Sequence, residues 1–247
     1  MAIGDVPCAA GGAVAVGSSG AGAPGGYYSR GLSGVRLRRC YEVAPPRVRQ
    51  YLDAEIAFLL SRIAPGDEVL ELGCGYGRVA RELARVARRV VGIDTSAMSV
   101  DLAREMTDPA LSCEYVEMDA ADLRFADGSF DVVACVQNGI SAFGVEPARL
   151  LREAIRVTRR EGRALFSSYS PRFWGPRLEW FERQAACGLV GEIDRARTGN
   201  GVIVCADGFR ATTFGPGEFE ALAKALGVEA TVTEVDGSSV FCEISVR

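Results

Sequence analysis

The chain has 247 residues, 48% of them apolar, 24% charged and 8% aromatic, which is ordinary for a globular domain with a sizeable core. Its 28 basic and 32 acidic residues leave a net charge of −4, which excludes the basic footprint of a general nucleic-acid binder. Histidine is absent, so a Ser-His-Asp triad, a Cys-His pair and any histidine metal site are ruled out.

Residues 1–26 are mainly Gly, Ala and Ser without an apolar period, too little to offset the entropy of ordering, and are expected to form a flexible tail. Residues 27–247 then read as a single domain, with an N-terminal lid segment at 27–44. A helical stripe follows Pro45-Pro46, with Val48, Leu52, Ile56, Leu59, Leu60 and Ile63 on one face, and Pro65-Gly66 stops it. Short apolar runs at 68–72, 90–93, 113–117, 130–136 and 164–166 come next, separated by helical or loop segments. Val79, Leu83 and Ala87 share a helical face, as do Leu150, Leu151, Ala154 and Ile155. That alternation predicts an α/β fold with a mostly parallel sheet and helices on both faces.

An insertion at 170–214 carries both tryptophans, Trp174 and Trp180, with Phe173, Phe181 and a hairpin-like stretch at 202–213. An insertion of this length is usually functional. A last helix with Phe219, Leu222, Ala223 and Leu226 stops at Gly227, and an antiparallel hairpin turns at Asp236-Gly237. No internal repeat is present.

The eight cysteines (Cys8, Cys40, Cys74, Cys113, Cys135, Cys187, Cys205 and Cys242) contain no CxxC and read as reduced cytosolic thiols. No apolar run reaches about 18 residues and no signal-peptide pattern opens the chain, so a cytoplasmic protein without a membrane partner is expected. Lys224 is the only lysine among the basic residues, which with the abundant Ala and Gly points to high-GC bacterial coding.

The stretch 69–78, Val-Leu-Glu-Leu-Gly-Cys-Gly-Tyr-Gly-Arg, runs a strand into Gly73-x-Gly75-x-Gly77 before a helix. Glycines there admit positive φ and close approach of a ligand, at the strand ends where nucleotide-like ligands bind in open parallel sheets. The spacing departs from GxGxxG, and Glu71 would repel a diphosphate, so the ligand is expected to carry a positive charge. Asp94, ending the second strand, suits two ribose hydroxyls, and Asp119, after the third, could accept from an adenine amino group.

With these motifs, with Asp-Gly-Ser-Phe-Asp-Val-Val-Ala-Cys-Val at 127–136, Glu-Ala-Ile-Arg-Val-Thr-Arg-Arg-Glu-Gly at 153–162 and Thr-Phe-Gly-Pro-Gly-Glu-Phe-Glu-Ala-Leu at 213–222, the chain resembles the class I S-adenosylmethionine-dependent methyltransferases, of the small-molecule type that includes quinone-biosynthesis enzymes. The resemblance implies a Rossmann-like, seven-stranded sheet of order 3-2-1-4-5-7-6 in which the final strand alone is antiparallel. It implies S-adenosylmethionine as cofactor, with S-adenosylhomocysteine as product. Gly73, Cys74 and Gly75 would line the methionine part, Asp94 would hold the ribose, and Asp119 and Ala120 the adenine, with Gly77 and Thr95 also among the cofactor-binding residues. Gln137 would place its carbonyl near the methionine ammonium, with Glu71 in the same neighbourhood.

Methyl transfer is an in-line displacement, so alignment at about 3 to 3.5 Å is the protein's main task. Without histidine, any general base would be Asp, Glu, Tyr or water. Tyr28, Arg39, Asn138, Tyr169 and Trp174 are the substrate-facing candidates, with Ser141 close by. Arg30, Arg36, Arg38, Arg39, Arg47 and Arg49 face only Glu42 in their stretch, which either binds an anionic acceptor or forms a solvated basic face. Trp174, Phe173, Trp180 and Phe181 either line an apolar pocket or are simple core. The spacing of Cys40, Cys187, Cys205 and Cys242 does not support a metalloid acceptor. A non-catalytic S-adenosylmethionine-binding module, serving as sensor or partner protein, is the competing reading; a nicotinamide dehydrogenase is disfavoured by Glu71 and the shifted glycine. The first lid segment is expected to be mobile without ligand and ordered when both sites are filled.

Overall fold

In the computed structural model the apolar runs become a seven-stranded sheet. The structure describes Tyr27 and residues 31–247; the expected tail, and with it Tyr28 and Arg30, lies outside the described residues. Strands β1 (Glu68–Leu72), β2 (Arg89–Asp94), β3 (Cys113–Glu117), β4 (Phe130–Cys135), β5 (Thr158–Tyr169), β8 (Ala230–Val235) and β9 (Ser239–Ser245) stand in the order β3-β2-β1-β4-β5-β9-β8. The remaining two, β6 (Ile203–Val204) and β7 (Arg210–Ala211), form the small hairpin of the insertion. Adjacent strands from β1 to β5 pair in parallel, and β9 is antiparallel to both its neighbours. The expected order therefore holds.

The fifth strand is longer than its apolar run. Its polar first half, where Glu161 takes a φ of 65°, pairs with β4 through a register shift, so periodicity had no signal there.

Eight helices are described: α1 (Gly34–Glu42), α2 (Pro46–Leu60), α3 (Arg78–Leu83), α4 (Ala97–Met106), α5 (Gly139–Ala142), α6 (Pro147–Val157), α7 (Trp174–Ala186) and α8 (Pro216–Leu226). Proline opens α2, α6 and α8, where its missing N–H costs nothing. Gly227, at a φ of 67°, closes α8.

Alternate residues of each strand face opposite layers. Leu70, Leu72, Ile93, Val133 and Phe166 pack on Leu150, Leu151 and Ala154 of α6. Val69, Val90, Val132 and Leu165 pack on Leu59 of α2 and on Val79 and Leu83 of α3. The two-residue period puts Glu71, Ser167 and Tyr169 on this second face, beneath α2.

Tyr27 with segment 31–44, and segment 170–214, distant in sequence, pack on each other. Leu32 and Cys40 share an apolar cluster with Phe181, Leu189, Val190 and Phe209. Burying each such large side chain is worth about 1.5–3 kcal/mol. Polar pins fix the pairing: Arg36 donates to the carbonyls of Gly188 and Leu189 at 2.9 and 3.0 Å, and Trp180 Nε1 donates to Cys40 O at 2.7 Å. Tyr27 packs edge-on against Phe209 and donates to Asp207. Together they form a layer over the carboxyl ends of the strands.

Candidate functional site

Beneath that layer lies a cavity of about 400 Å³. Its floor begins at the turn leaving β1, where Gly73, Gly75 and Gly77 have φ of 73°, 53° and 76°. A Cβ on Gly73 would come within 2.4 Å of the Phe143 ring, and one on Gly75 within 2.9 Å of Leu37. Side chains are excluded there on both conformational and steric grounds. The N–H groups of Gly73 and Cys74 both donate to Ile93 O, at 2.8 and 2.9 Å, which binds the turn to β2.

Asp94 ties the two crossover loops together. One carboxylate oxygen accepts from Gly75 N and the other from Ser96 N, each at 2.9 Å. Each oxygen keeps a lone pair for a further donor. Burial pushes the Asp94 carboxyl above its usual range against the pull of these amides. One strand further on, exposed Asp119 accepts from Ala121 N at 2.8 Å.

At the inner end, Glu71 is 3% exposed and Glu55, from α2, is fully buried. Burial pushes each carboxyl up to about 7, and the Arg78 charge opposes the rise in both. Glu71 Oε2, Arg78 Nε and Nη2, and Gln137 Nε2 are buried without a hydrogen-bond partner. The Arg78 guanidinium also lies 5.2 Å from the Tyr41 ring centroid.

Gln137 and Asn138 follow β4 with consecutive left-handed φ of 53° and 65°, each costing about 1–3 kcal/mol in a non-glycine residue. Ser167 holds this turn: its Oγ accepts from Gln137 N at 2.9 Å and donates to Glu55 Oε1 at 2.5 Å, while its carbonyl accepts from Asn138 N at 3.2 Å. Tyr41 of α1 donates to Gln137 Oε1 at 2.5 Å. Aromatic rings close the roof, with Tyr41 edge-on to both Tyr76 and Trp180 at 5.7 Å.

The cavity lining includes Glu71, Gly73, Cys74, Gly75, Asp94, Thr95, Asp119, Ala120 and Gln137. Gly77 is outside it: a Cβ there would meet the Tyr115 hydroxyl at 2.5 Å and its ring at 2.8 Å, so this glycine serves the packing of β3 behind the turn. Of the described acceptor-side candidates, Tyr169 reaches the lining; Arg39, Asn138 and Trp174 do not. Asn138 is turned inward, donating to Thr212 O and accepting from Ser168 Oγ at 2.8 and 2.6 Å. Trp174 packs on the roof cluster instead.

Glu55, Arg78, Tyr41 and Gln184 escaped the sequence reading. Glu55 carried a signal, since it falls three residues after Leu52 and four before Leu59, a lone charge inside the buried stripe of α2.

Residues 69–162 match the family described as a methyltransferase domain. The chain is 32% identical over 137 residues to 2-methyl-6-phytyl-1,4-hydroquinone methyltransferase of Synechocystis, covering 52% of this chain and 42% of that one. It is 36% identical over 119 residues to a fatty-acid O-methyltransferase of Mycolicibacterium smegmatis, covering 47% of this chain and 41% of that one. The matches thus span about two-fifths of these relatives' length. In fold it is similar to a SAM-dependent methyltransferase from Aquifex aeolicus, with a TM-score of 0.59 at 15% identity over 85% of this chain and 98% of that one.

Proposed function

We propose that this chain is a class I S-adenosylmethionine-dependent methyltransferase that transfers the methyl group of S-adenosylmethionine to a small-molecule acceptor. The observation that supports this most is the set of buried, unpartnered atoms at Glu71 and Arg78. A zwitterionic amino-acid end satisfies both, its ammonium beside Glu71 and its carboxylate on Arg78. Asp94 accepts from the ribose hydroxyls, Asp119 and Ala120 hold the adenine, and the glycines at 73 and 75 let the chain of the ligand lie against backbone. Bound there, S-adenosylmethionine supplies a methyl group already activated on a sulfonium. The protein's task is alignment and exclusion of water.

Of the described arginines that raised an anionic acceptor, Arg36 is pinned to two carbonyls, Arg38 to Glu42, Arg47 to Asp236 and Arg49 to Ala44 O, and none of these, nor Arg39, lines the cavity. That observation favours an uncharged acceptor. No described helix is long and apolar enough to cross a membrane. A cytoplasmic enzyme without nucleic-acid partners fits the net charge of −4.

Incubation of the purified protein with methyl-labelled S-adenosylmethionine and a panel of small phenols, carboxylates and amines tests the reading. Label in an organic-soluble product is the expected result. Tight S-adenosylhomocysteine binding without transfer to any acceptor would favour the non-catalytic module.

A further inference from the structure

The cavity has two chemically different halves. Under the roof its wall is mainly apolar and aromatic, with Leu32, Leu37, Tyr41, Phe143, Trp180 and Phe181, and includes the uncharged Gln184. Among the described residues Arg78 is the one cation in the whole lining, and its charge acts on the carboxyls of both Glu55 and Glu71. A charged acceptor head group would lose its hydration in the roof half and gain no charged partner there.

The floor beneath this half holds a line of ionisable groups. Tyr169 lines the cavity and packs against Tyr51, with ring centroids 5.4 Å apart. Tyr51 is fully buried, one turn before Glu55 on α2; its hydroxyl lies near the Glu55 carboxyl and, like Glu55 Oε2, has no hydrogen-bond partner. Ser167 occupies Glu55 Oε1, whereas Oε2 is buried without a hydrogen-bond partner. A carboxylate in this interior is costly, and an apolar residue would complete the stripe of α2 without that cost.

We propose that the acceptor is an uncharged aromatic alcohol, its ring held among Tyr41, Phe143 and Trp180, and that its hydroxyl proton passes through Tyr169 and Tyr51 to Glu55. This rests on the methyl-transfer reading above. The acceptor oxygen takes the methyl with its own electron pair, while the electrons of the broken carbon–sulfur bond stay on sulfur. The displaced proton shifts once at each tyrosine and ends as the Glu55 carboxylic acid. Glu55 acts through the tyrosines and is a positioning residue for the proton.

The groups facing Glu55 are Tyr51 on its own helix, Arg78 from α3, Cys135 from β4, the Gln137 amide, and Ser167 and Tyr169 from β5. Burial pushes Cys135 and both tyrosines upward, at Tyr169 against the pull of the buried Arg177 guanidinium of α7, 4.5 Å from its ring centroid, which leaves them neutral near pH 7. Among the groups facing Glu55, Arg78 is the charge that opposes the rise caused by burial.

Three probes of matched shape test the proposal on the whole chain loaded with S-adenosylhomocysteine: 2-naphthol, 2-naphthoate and 2-naphthylmethylamine. Calorimetry is expected to show naphthol binding about tenfold or more tighter than either charged probe. Excited naphthol sheds its proton where a base can take it, so bound naphthol is expected to emit as naphtholate. Glu55→Gln and Tyr51→Phe are expected to bind naphthol as the parent does and to lose that emission. With methyl donor present, Glu55→Gln is expected to lower kcat about 100-fold at similar KM and to abolish the rise in rate through about pH 7. Tighter binding of naphthoate or the amine, or naphtholate emission and a pH profile unchanged in folded Glu55→Gln, would overturn the proposal. Absence of S-adenosylhomocysteine binding would instead defeat the methyl-transfer reading on which it rests.

Discussion

Tyr41 donates its hydroxyl hydrogen to Gln137 Oε1 at 2.5 Å, and this one bond joins the roof helix to the left-handed turn after β4. The turn is also tied to Glu55 through Ser167, so roof, cavity wall and buried carboxylate form one connected unit. Tyr41→Phe is expected to lower unfolding free energy by about 0.5–1.5 kcal/mol, the net worth of one hydrogen bond, and to weaken S-adenosylhomocysteine binding by freeing Gln137. Urea unfolding with parallel calorimetry checks both; unchanged affinity would detach the roof from the site.

Gly73→Ala places a methyl group where the Phe143 ring stands and forces an L-residue to a φ of 73°. The conformational cost alone is about 1–2 kcal/mol. Reduced thermal stability together with loss of S-adenosylhomocysteine binding is the expected outcome of a thermal-shift titration.

Glu55 and Glu71 hold protons in the folded state up to about pH 7, against 4.5 for an ordinary glutamate. Below pH 4.5 both states are protonated and neither residue costs stability. Between 4.5 and 7 the unfolded chain releases the proton and the folded chain retains it, so stability falls as pH rises. Each residue contributes a loss of up to about 3 kcal/mol, at roughly 1.4 kcal/mol per pH unit. Glu55→Gln is therefore expected to be more stable than the parent at pH 8 and to converge on it near pH 4. Denaturant midpoints across that range decide the matter, and a difference independent of pH would refute the buried-carboxylate account.

Deleting residues 1–22 is expected to leave unfolding and methyl transfer unchanged. Deletion through Arg39 removes Leu32, Leu37 and the Arg36 pin from the roof. A folded sheet that binds S-adenosylhomocysteine weakly and transfers no methyl group is the expected product. Retained transfer would show that acceptor binding does not need this segment.

Much of the fold was legible because it rests on short-range patterns. The 68–72 and 113–117 runs coincide with β1 and β3, since buried strands and their flanking turns write themselves into consecutive residues. The glycine turn and Asp94 were legible for the same reason. What stayed hidden depends on distance in the chain. Nothing near Arg36 says that its guanidinium will find the carbonyls of Gly188 and Leu189 some 150 residues later, so the arginine-rich stretch left both an anion site and a solvated basic face open. Asn138 was placed by its position after β4, but its left-handed backbone turns the side chain inward to Thr212 and Ser168. Glu55 and Arg78 were hidden because their meaning lies in each other: a charge in a helical stripe becomes a site only beside its partner on α3.

The central claim is that the cavity under the roof is built for S-adenosylmethionine and that Asp94 grips its ribose. Calorimetric titration of S-adenosylhomocysteine into the parent and Asp94→Ala proteins tests it most directly. The account predicts one molecule bound per chain, no heat with NAD, and a loss of about 1–3 kcal/mol of binding free energy in a folded Asp94→Ala variant. No binding to the parent protein, or equal affinity in the folded variant, would contradict it.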